Sequence, residues 1–258
     1  CPYYGLCGGC DLMHVDYETE CEIKKNKLKL SLRMFPNCKI NDIISSKAIL
    51  GYRNKVMVPF GIDDDDNRIW GFYRKNSHDI ISMDKCLISN DLSNKIINFI
   101  NRYLNIFHIS IYNEVKHSGL FREIMIRYTA LNEYMIVLVT TRDYDFSELI
   151  KYLIAEFKEI KSIYLNTNDK KTNVVLSNEY KLLYDNDTIT EDILGLKFNV
   201  SPASFLQVNH GQCEKLYTEA LRMANISNDM TIIDAYCGMG SITLNLAKKA
   251  KYVYGIEI

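Results

Sequence analysis

No stretch of this sequence approaches the roughly 20 apolar residues that a membrane-spanning helix needs, and no signal peptide opens it. The two absences predict a cytoplasmic protein without a membrane partner. Internal repeats, low-complexity tracts and an obvious flexible linker are also missing, which excludes a repeat or disordered architecture. The formal net charge is only −1, so no overall field of one sign points to a partner. The chain opens on Cys1 rather than Met, and removal of an upstream segment is the expectation.

What is present describes a packed protein. The 258 residues are 47% hydrophobic and 24% charged, with 18 Tyr, enough for a substantial core and for two domains. Near-neutrality hides a local asymmetry: residues 22–60 hold nine Lys or Arg against only Glu22 and Asp42, followed by the acidic knot 63–66. Such a stretch suits phosphates or a solvated helix face equally. Eight cysteines in a large chain without an export signal imply a reducing compartment, which excludes a disulfide framework and favours metal binding.

Periodicity divides the chain. Tyr17, Cys21, Leu28, Leu32 and Phe35 recur at helical spacing and predict a helix over 16–35, ended by Pro36, with Cys21 a packing residue on its apolar stripe. Two strands follow in "ILGYRNKVMVPFG" and "RIWGFYRK", split by a turn at 63–67. "NDLSNKIINFINRYLNIF" predicts a helix capped by Asn90 or Asp91. "FREIMIRYTA" and "EYMIVLVTT" predict strands, "DFSELIKYLIAEF" a helix, "IKSIYLNTN" a strand, and two further strand-like runs extend to about Val200. The predicted organisation is a cysteine region with its helix over 1–42, a central α+β domain over 43–200, and the start of an α/β domain over 201–258.

That last part carries a helix beginning near Gln207, then "TIIDAYCGMGSITLNLAKKAKYVYGIEI": a strand, a glycine loop, a helix over 242–250 and a second strand. A βα turn with Gly238 and Gly240 lets a ligand approach the backbone at the helix N-terminus. A dinucleotide fold wants a third glycine where Thr243 stands, and a pyrophosphate above the loop. Asp234, four residues before Gly238, would repel that pyrophosphate. It suits a cationic ligand such as the aminoacyl sulfonium of S-adenosylmethionine. Glu257 ends the second strand 17 residues beyond Gly240, where an acid accepts from ribose hydroxyls. Together they favour S-adenosylmethionine over NAD. Only two strands of a doubly wound sheet are present, so later strands are expected outside this span.

The opening "CPYYGLCGGC" has the spacing C-x5-C-x2-C. Radical chemistry would show C-x3-C-x2-C, and structural zinc sites more often pair two C-x2-C knuckles, of which the second is absent. Three close thiols and a remote fourth suit a [4Fe–4S] cluster. Cys86, in a loop after two strands, leads for the fourth position, with Cys38 the rival.

Three stretches together resemble one family, the iron–sulfur uracil-5 RNA methyltransferases typified by the large-subunit ribosomal RNA enzymes. They are "CPYYGLCGGCDLMH", "SPASFLQVNHGQCEKLY" and "DAYCGMGSITLNLA…VYGIEI", and "GYRNKVMVPFG" and "GLFREIMIRYT" in the middle are similar too. The resemblance implies an N-terminal iron–sulfur region, a central α+β RNA-facing domain and the incomplete start of a Rossmann-like methyltransferase domain. It implies Cys1, Cys7, Cys10 and Cys86 as cluster ligands. Cofactor contacts are implied at Gln207, Tyr236 and Glu257, beside Asp234, Gly238 and Gly240. Ser241 stands where the family often has Asn. The implied chemistry adds a cysteine thiolate to uracil carbon 6 and removes the carbon 5 proton with a base, on a base drawn out of its stack. No residue of this span is expected to be catalytic: the nucleophile and the base are expected beyond Ile258, and Cys237 reads as a packing residue of the loop. The partner implied is RNA, ribosomal rather than transfer because transfer RNA relatives lack the cluster, bound by a monomer. A cluster-stabilised RNA-binding module and a transfer RNA enzyme are the alternatives. His14 reads as a surface or packing residue. The mix of Trp70, Phe72, Tyr73, Arg74, Lys75 and His78 suits unpaired bases or an ordinary two-sided strand.

Overall fold

A computed structural model describes residues 1–172 and 174–258. The first helix, α1 (Tyr17–Ser31), is capped by Asp16, whose carboxylate accepts from Thr19 N–H at 2.8 Å. It buries no residue, and Leu28, Leu30, Met34 and Phe35 stand exposed. The apolar stripe expected there is therefore not a packing face, and Cys21 is only half-buried. The reason is legible in retrospect: Lys24 and Lys25 interrupt the stripe between Cys21 and Leu28. Polar ties hold α1 instead, with Lys25 on Asp42 at 2.5 Å and Ser46 N–H donating to Tyr17 Oη at 2.7 Å.

Strands β1 (Lys55–Ile62), β2 (Arg68–Tyr73) and β3 (Ile80–Ser82) form an antiparallel meander. The turn between the first two is closed by Asp63, whose carboxylate accepts from Asp65 and Asn67 N–H. Helix α2 (Asp91–Ile106) begins at the Asn90 cap. Then come β4 (Phe121–Tyr128), β5 (Tyr134–Thr140), α3 (Ser147–Glu156), β6 (Ile160–Thr167) and β7 (Tyr180–Asp185). The seven strands make one sheet in the order β3-β2-β1-β4-β5-β6-β7, antiparallel except for β5 and β6, which α3 connects in parallel.

Both faces of this sheet are covered, which explains why β5 reads as a continuous apolar run and why β4 is buried at seven of its eight positions, Arg122, Glu123 and Arg127 included. On one face Phe60, Trp70, Phe121 and Ile136 pack with Ile96 and Ile100 of α2 and Leu149 of α3. On the other, Met125, Met135, Val137 and Tyr164 pack with Ile189 and Val200. Those two residues belong to β8 (Ile189–Ile193) and β9 (Leu196–Val200), a hairpin that forms its own sheet. The sequence had suggested two strand-like runs after β6; there are three. The split falls at Leu194 and Gly195, both at positive φ (53° and 76°), the geometry of a tight hairpin turn.

The hairpin also faces forward. Its Ile193 and Phe198 pack with Leu206, Cys213 and Tyr217, the last two on α4 (His210–Ala224). This helix starts at His210 rather than near Gln207. The carbonyls of Gln207 and Val208 already accept from Asn54, so they are lost to a helical ladder, and Asn209 caps instead. Strand β10 (Thr231–Ala235), helix α5 (Ser241–Ala247, shorter than expected) and β11 (Tyr252–Ile256) close the chain, with the two strands parallel. Among the described residues, no helix is long and apolar enough to cross a membrane.

Candidate cofactor and thiol sites

The glycine loop runs from β10 to α5 with Tyr236, Gly238 and Gly240 at φ 63°, 57° and 80°. Left-handed backbone at three of five positions folds the loop tightly, and nothing stands within 4 Å of a side chain imagined at Gly238. Glu257 closes over it, accepting the Gly238 N–H on Oε2 at 2.7 Å. Asp234 accepts from Thr243 Oγ1 on Oδ2 at 2.6 Å. Among the described residues each carboxylate thus has one oxygen engaged, that of Glu257 on the loop and that of Asp234 on α5, and one without a partner. Two acids on one loop make it hostile to a pyrophosphate and hospitable to ammonium, sulfonium and hydroxyl groups. Thr243, where a dinucleotide fold would carry its third glycine, is the residue that orients Asp234.

The other expected site residues divide. Tyr236 is 81% exposed at the tip, free to lie against a ligand. Ser241 is buried, and its hydroxyl donates to Tyr217 Oη at 3.1 Å, so its side chain serves α4 rather than a ligand. Gln207 is half-buried; its segment meets the loop through its neighbour Leu206, which shares a cluster with Met239, the residue between the two glycines. Met239 also packs against the sheet face of Met125 and Met135, which seats the loop on the central domain. Cys237 turns beneath: a Cβ at Gly255 would lie 3.0 Å from its sulfur, and its N–H donates to Ile256 O at 3.0 Å. Its half-buried side chain lies against Gly255 of β11.

Arg127 holds the approach to Gln207. Its guanidinium donates to Ser201 O (3.3 Å) and Ser204 O (2.6 Å), and burial pushes its pKa down to about 10. Nearby Lys55 is also lowered, by burial first and then by the charges of Arg127 and Arg53.

The thiols gather elsewhere. Cys1, Cys7, Cys10 and Cys86 all line one cavity of about 460 Å³, walled further by Met83, Phe72, Arg53, Leu206 and Val208. Cys38 is exposed and does not line it. The N-terminal loop docks on the end of β2, with Gly8 N–H donating to Tyr73 O at 3.0 Å, and Tyr3 Oη donating to Asp84 at 2.6 Å. A side chain at Gly8 would press on Tyr73 and Lys75 backbone at 3.2 Å, a tight approach that glycine eases. Burial raises the Cys7 and Cys10 thiols, and Cys86 lies close enough to raise both further. Among the described residues, no group of three or more His, Cys, Asp or Glu side chains is arranged to hold a metal ion.

Sequence reasoning missed the supporting residues. Asn54 holds Gln207, Asn94 holds Cys86 through its backbone, Thr243 holds Asp234 and Tyr217 holds Ser241. Only Thr243 left a signal, as the departure from glycine. Asn54 and Tyr217 lie 153 and 24 residues from their partners, and Asn94, though only 8 from Cys86, carries no mark of its contact.

Comparison with known proteins places these features. A protein of Clostridium acetobutylicum named an uncharacterized RNA methyltransferase is 42% identical over 266 residues, spanning 100% of this chain and 58% of that protein. One of Staphylococcus aureus with the same kind of name is 36% identical over 264 residues, again across 100% of this chain and 58% of its own length. The chain thus spans a little over half the length of the curated relatives it matches. Among solved structures, the Pyrococcus abyssi tRNA (uracil-54, C5)-methyltransferase in complex with S-adenosyl-L-homocysteine superposes with a TM-score of 0.78. It is 24% identical and covers 98% of this chain and 59% of its own, a likeness of fold. The family model described as tRNA (Uracil-5-)-methyltransferase matches residues 16–258, leaving the first three cysteines outside it. The chain belongs to the tRNA (uracil-5-)-methyltransferase family.

Proposed function

We propose that this chain holds part of an enzyme that methylates carbon 5 of uridine in RNA, using S-adenosylmethionine, with ribosomal RNA as substrate. The observation that carries the cofactor is the Glu257 carboxylate seated on the Gly238 amide at 2.7 Å. That bond leaves Oε1 to accept from a ribose hydroxyl. Asp234, with Oδ1 uncommitted, faces the cationic end, and exposed Tyr236 offers a ring for the adenine. Bound there, S-adenosylmethionine supplies an electrophilic methyl group. Residues 201–258 form the cofactor-side portion, Gln207 closes it from the preceding loop, and residues 43–200 present the RNA-facing surface. No described cysteine serves as the nucleophile, Cys237 least of all.

The four thiols read as ligands of a [4Fe–4S] cluster. Such a cluster takes each thiolate at a different iron, so its ligands surround a body instead of converging on a point. The shared cavity lining supports this reading; among the described residues the thiols form no group arranged to hold a metal ion. The thiol set favours ribosomal RNA; the names of the family and of the Pyrococcus structure favour transfer RNA. Methyl transfer from labelled S-adenosylmethionine to each RNA, by the whole enzyme of which this chain is part, decides between them. The cofactor claim has its own test by titration calorimetry with S-adenosylhomocysteine. Glu257→Gln should weaken binding about tenfold, the worth of a charge-assisted hydrogen bond. Absence of binding by the unaltered protein sinks the reading.

A further inference from the structure

Residues 51–54 lie between two loops that hold quite different chemistry. On one side Gly51 N–H donates to Leu87 O and Arg53 N–H to Ile88 O, both at 2.9 Å, and Arg53 bridges Ser89 in the parallel sense. These are the residues directly after Cys86, whose own backbone is clamped by Asn94: Cys86 N–H donates to Asn94 Oδ1 (2.9 Å) and Asn94 Nδ2 donates to Cys86 O (3.1 Å). On the other side Arg53 bridges Asn209 in the antiparallel sense, Asn54 N–H donates to Val208 O at 2.8 Å, and Asn54 Nδ2 donates to Gln207 O at 3.0 Å. The segment is therefore the middle rung of a short ladder of hydrogen bonds, with one isolated β-bridge from Arg53 on each side. Its edges are the Cys86 loop and the Gln207 loop. Tyr128 N–H donates to Asn54 O at 2.9 Å and anchors the ladder to β4.

Asn54 is 2% exposed, and among the described residues its Oδ1 has no partner. The amide is thus oriented by its donor alone, and what that donor holds is the carbonyl of Gln207. Leu206 and Val208, the two neighbours of Gln207, also line the thiol cavity. Whatever fills the cavity presses on the Gln207 loop directly and, through the ladder, from the Cys86 side.

We propose that Asn54 is a positioning residue of the cofactor site, and that the 51–54 ladder makes the placement of Gln207 depend on occupancy of the thiol cavity. The proposal rests on the readings of both sites above. A filled cavity fixes residues 86–89, the ladder fixes Asn54 against them, and Asn54 fixes Gln207. An emptied cavity frees one edge and loosens the loop that meets the cofactor.

Hydrogen exchange read by mass spectrometry tests this on the chain, reconstituted anaerobically with iron and sulfide and in the iron-free form. Loading should slow exchange across residues 205–210 about tenfold, the worth of about one buried hydrogen bond, and leave residues 134–140 unchanged. Asn54→Asp keeps the shape and loses the donor. It should exchange fast at 205–210 in both forms while holding the same iron; Asn54→Ala carries the same comparison if the first variant does not fold. Asn105→Ala, which removes the acceptor of Arg68 N–H in the same domain (2.8 Å), should keep the loading response. Equal exchange in loaded and iron-free protein, or a loading response that survives both Asn54 variants, overturns the proposal. Failure of the unaltered protein to take up iron defeats the cluster reading instead. The Asn54 variants then decide the positioning claim alone: selective loss of protection at 205–210 supports it, and unchanged protection overturns it.

Discussion

Replacing Glu123 with Gln should make this protein more stable, and increasingly so as pH rises. Glu123 lies in β4 opposite Pro59 of β1 and Val139 of β5, 8% exposed, and among the described residues its carboxylate accepts no hydrogen bond. Burial is the main cause that pushes its pKa up from 4.5 to about 7; the Arg122 charge opposes the rise and Glu114 adds to it. Arg122 offsets little because its guanidinium is already engaged, donating to Asn168 O and Lys170 O and stacked over Tyr112. A folded pKa raised above the unfolded one means that the favourable, protonated state is fully present below the unfolded value. That stability is lost as pH climbs through the folded value. A rise from 4.5 to about 7 corresponds to about 3 kcal/mol once Glu123 is ionised in both states. Glutamine keeps the volume and never ionises. Melting curves of both proteins between about pH 5 and about pH 8 should therefore diverge with pH, by roughly 6–12 °C at the upper end for a chain of this size. A difference in melting temperature that does not change with pH, or a Gln variant less stable at about pH 8, refutes the argument.

Three further outcomes follow from particular contacts. A Cβ at Gly71 would stand 1.8 Å from Ile81 O, so Gly71→Ala must push β3 from β2. It should cost about 2–3 kcal/mol in denaturant unfolding and lower iron uptake, since β3 leads into the Cys86 loop. Thr243→Val removes the hydroxyl that holds Asp234 at 2.6 Å. S-adenosylhomocysteine affinity should fall about fivefold, by about 1 kcal/mol, with little change in melting temperature. Equal affinity would free Asp234 of any cofactor role. Cys86→Ser should abolish iron uptake, whereas Cys38→Ser, exposed and outside the cavity, should leave it intact. The reverse pattern in iron analysis would remove Cys86 from the ligand set.

The sequence by itself determined what depends on neighbours a few residues apart. The α2 cap at Asn90 or its neighbour Asp91, the turn closed by Asp63, the unbroken apolar run of β5, and the strand, loop, helix order around Gly238 and Gly240 are all local, and all were legible. The acids Asp234 and Glu257 were legible as well, because parallel strands joined by one helix bring both strand ends to the same loop. Tertiary structure decided the rest. Periodicity alone suggested that α1 packs through Cys21 and Leu28, yet the fold leaves that helix at the surface on polar ties. It placed Cys86 and not Cys38 on the thiol cavity, the choice toward which loop position already leaned and which the resemblance implied. It turned Ser241 inward to Tyr217 and moved the start of α4 from Gln207 to His210. Asn54 illustrates the cause. Its partner is Gln207, 153 residues away, and a lone Asn beside a strand carries no mark of a contact across that distance. Hydrogen bonds between residues far apart in sequence exist only once the chain has closed the loops between them.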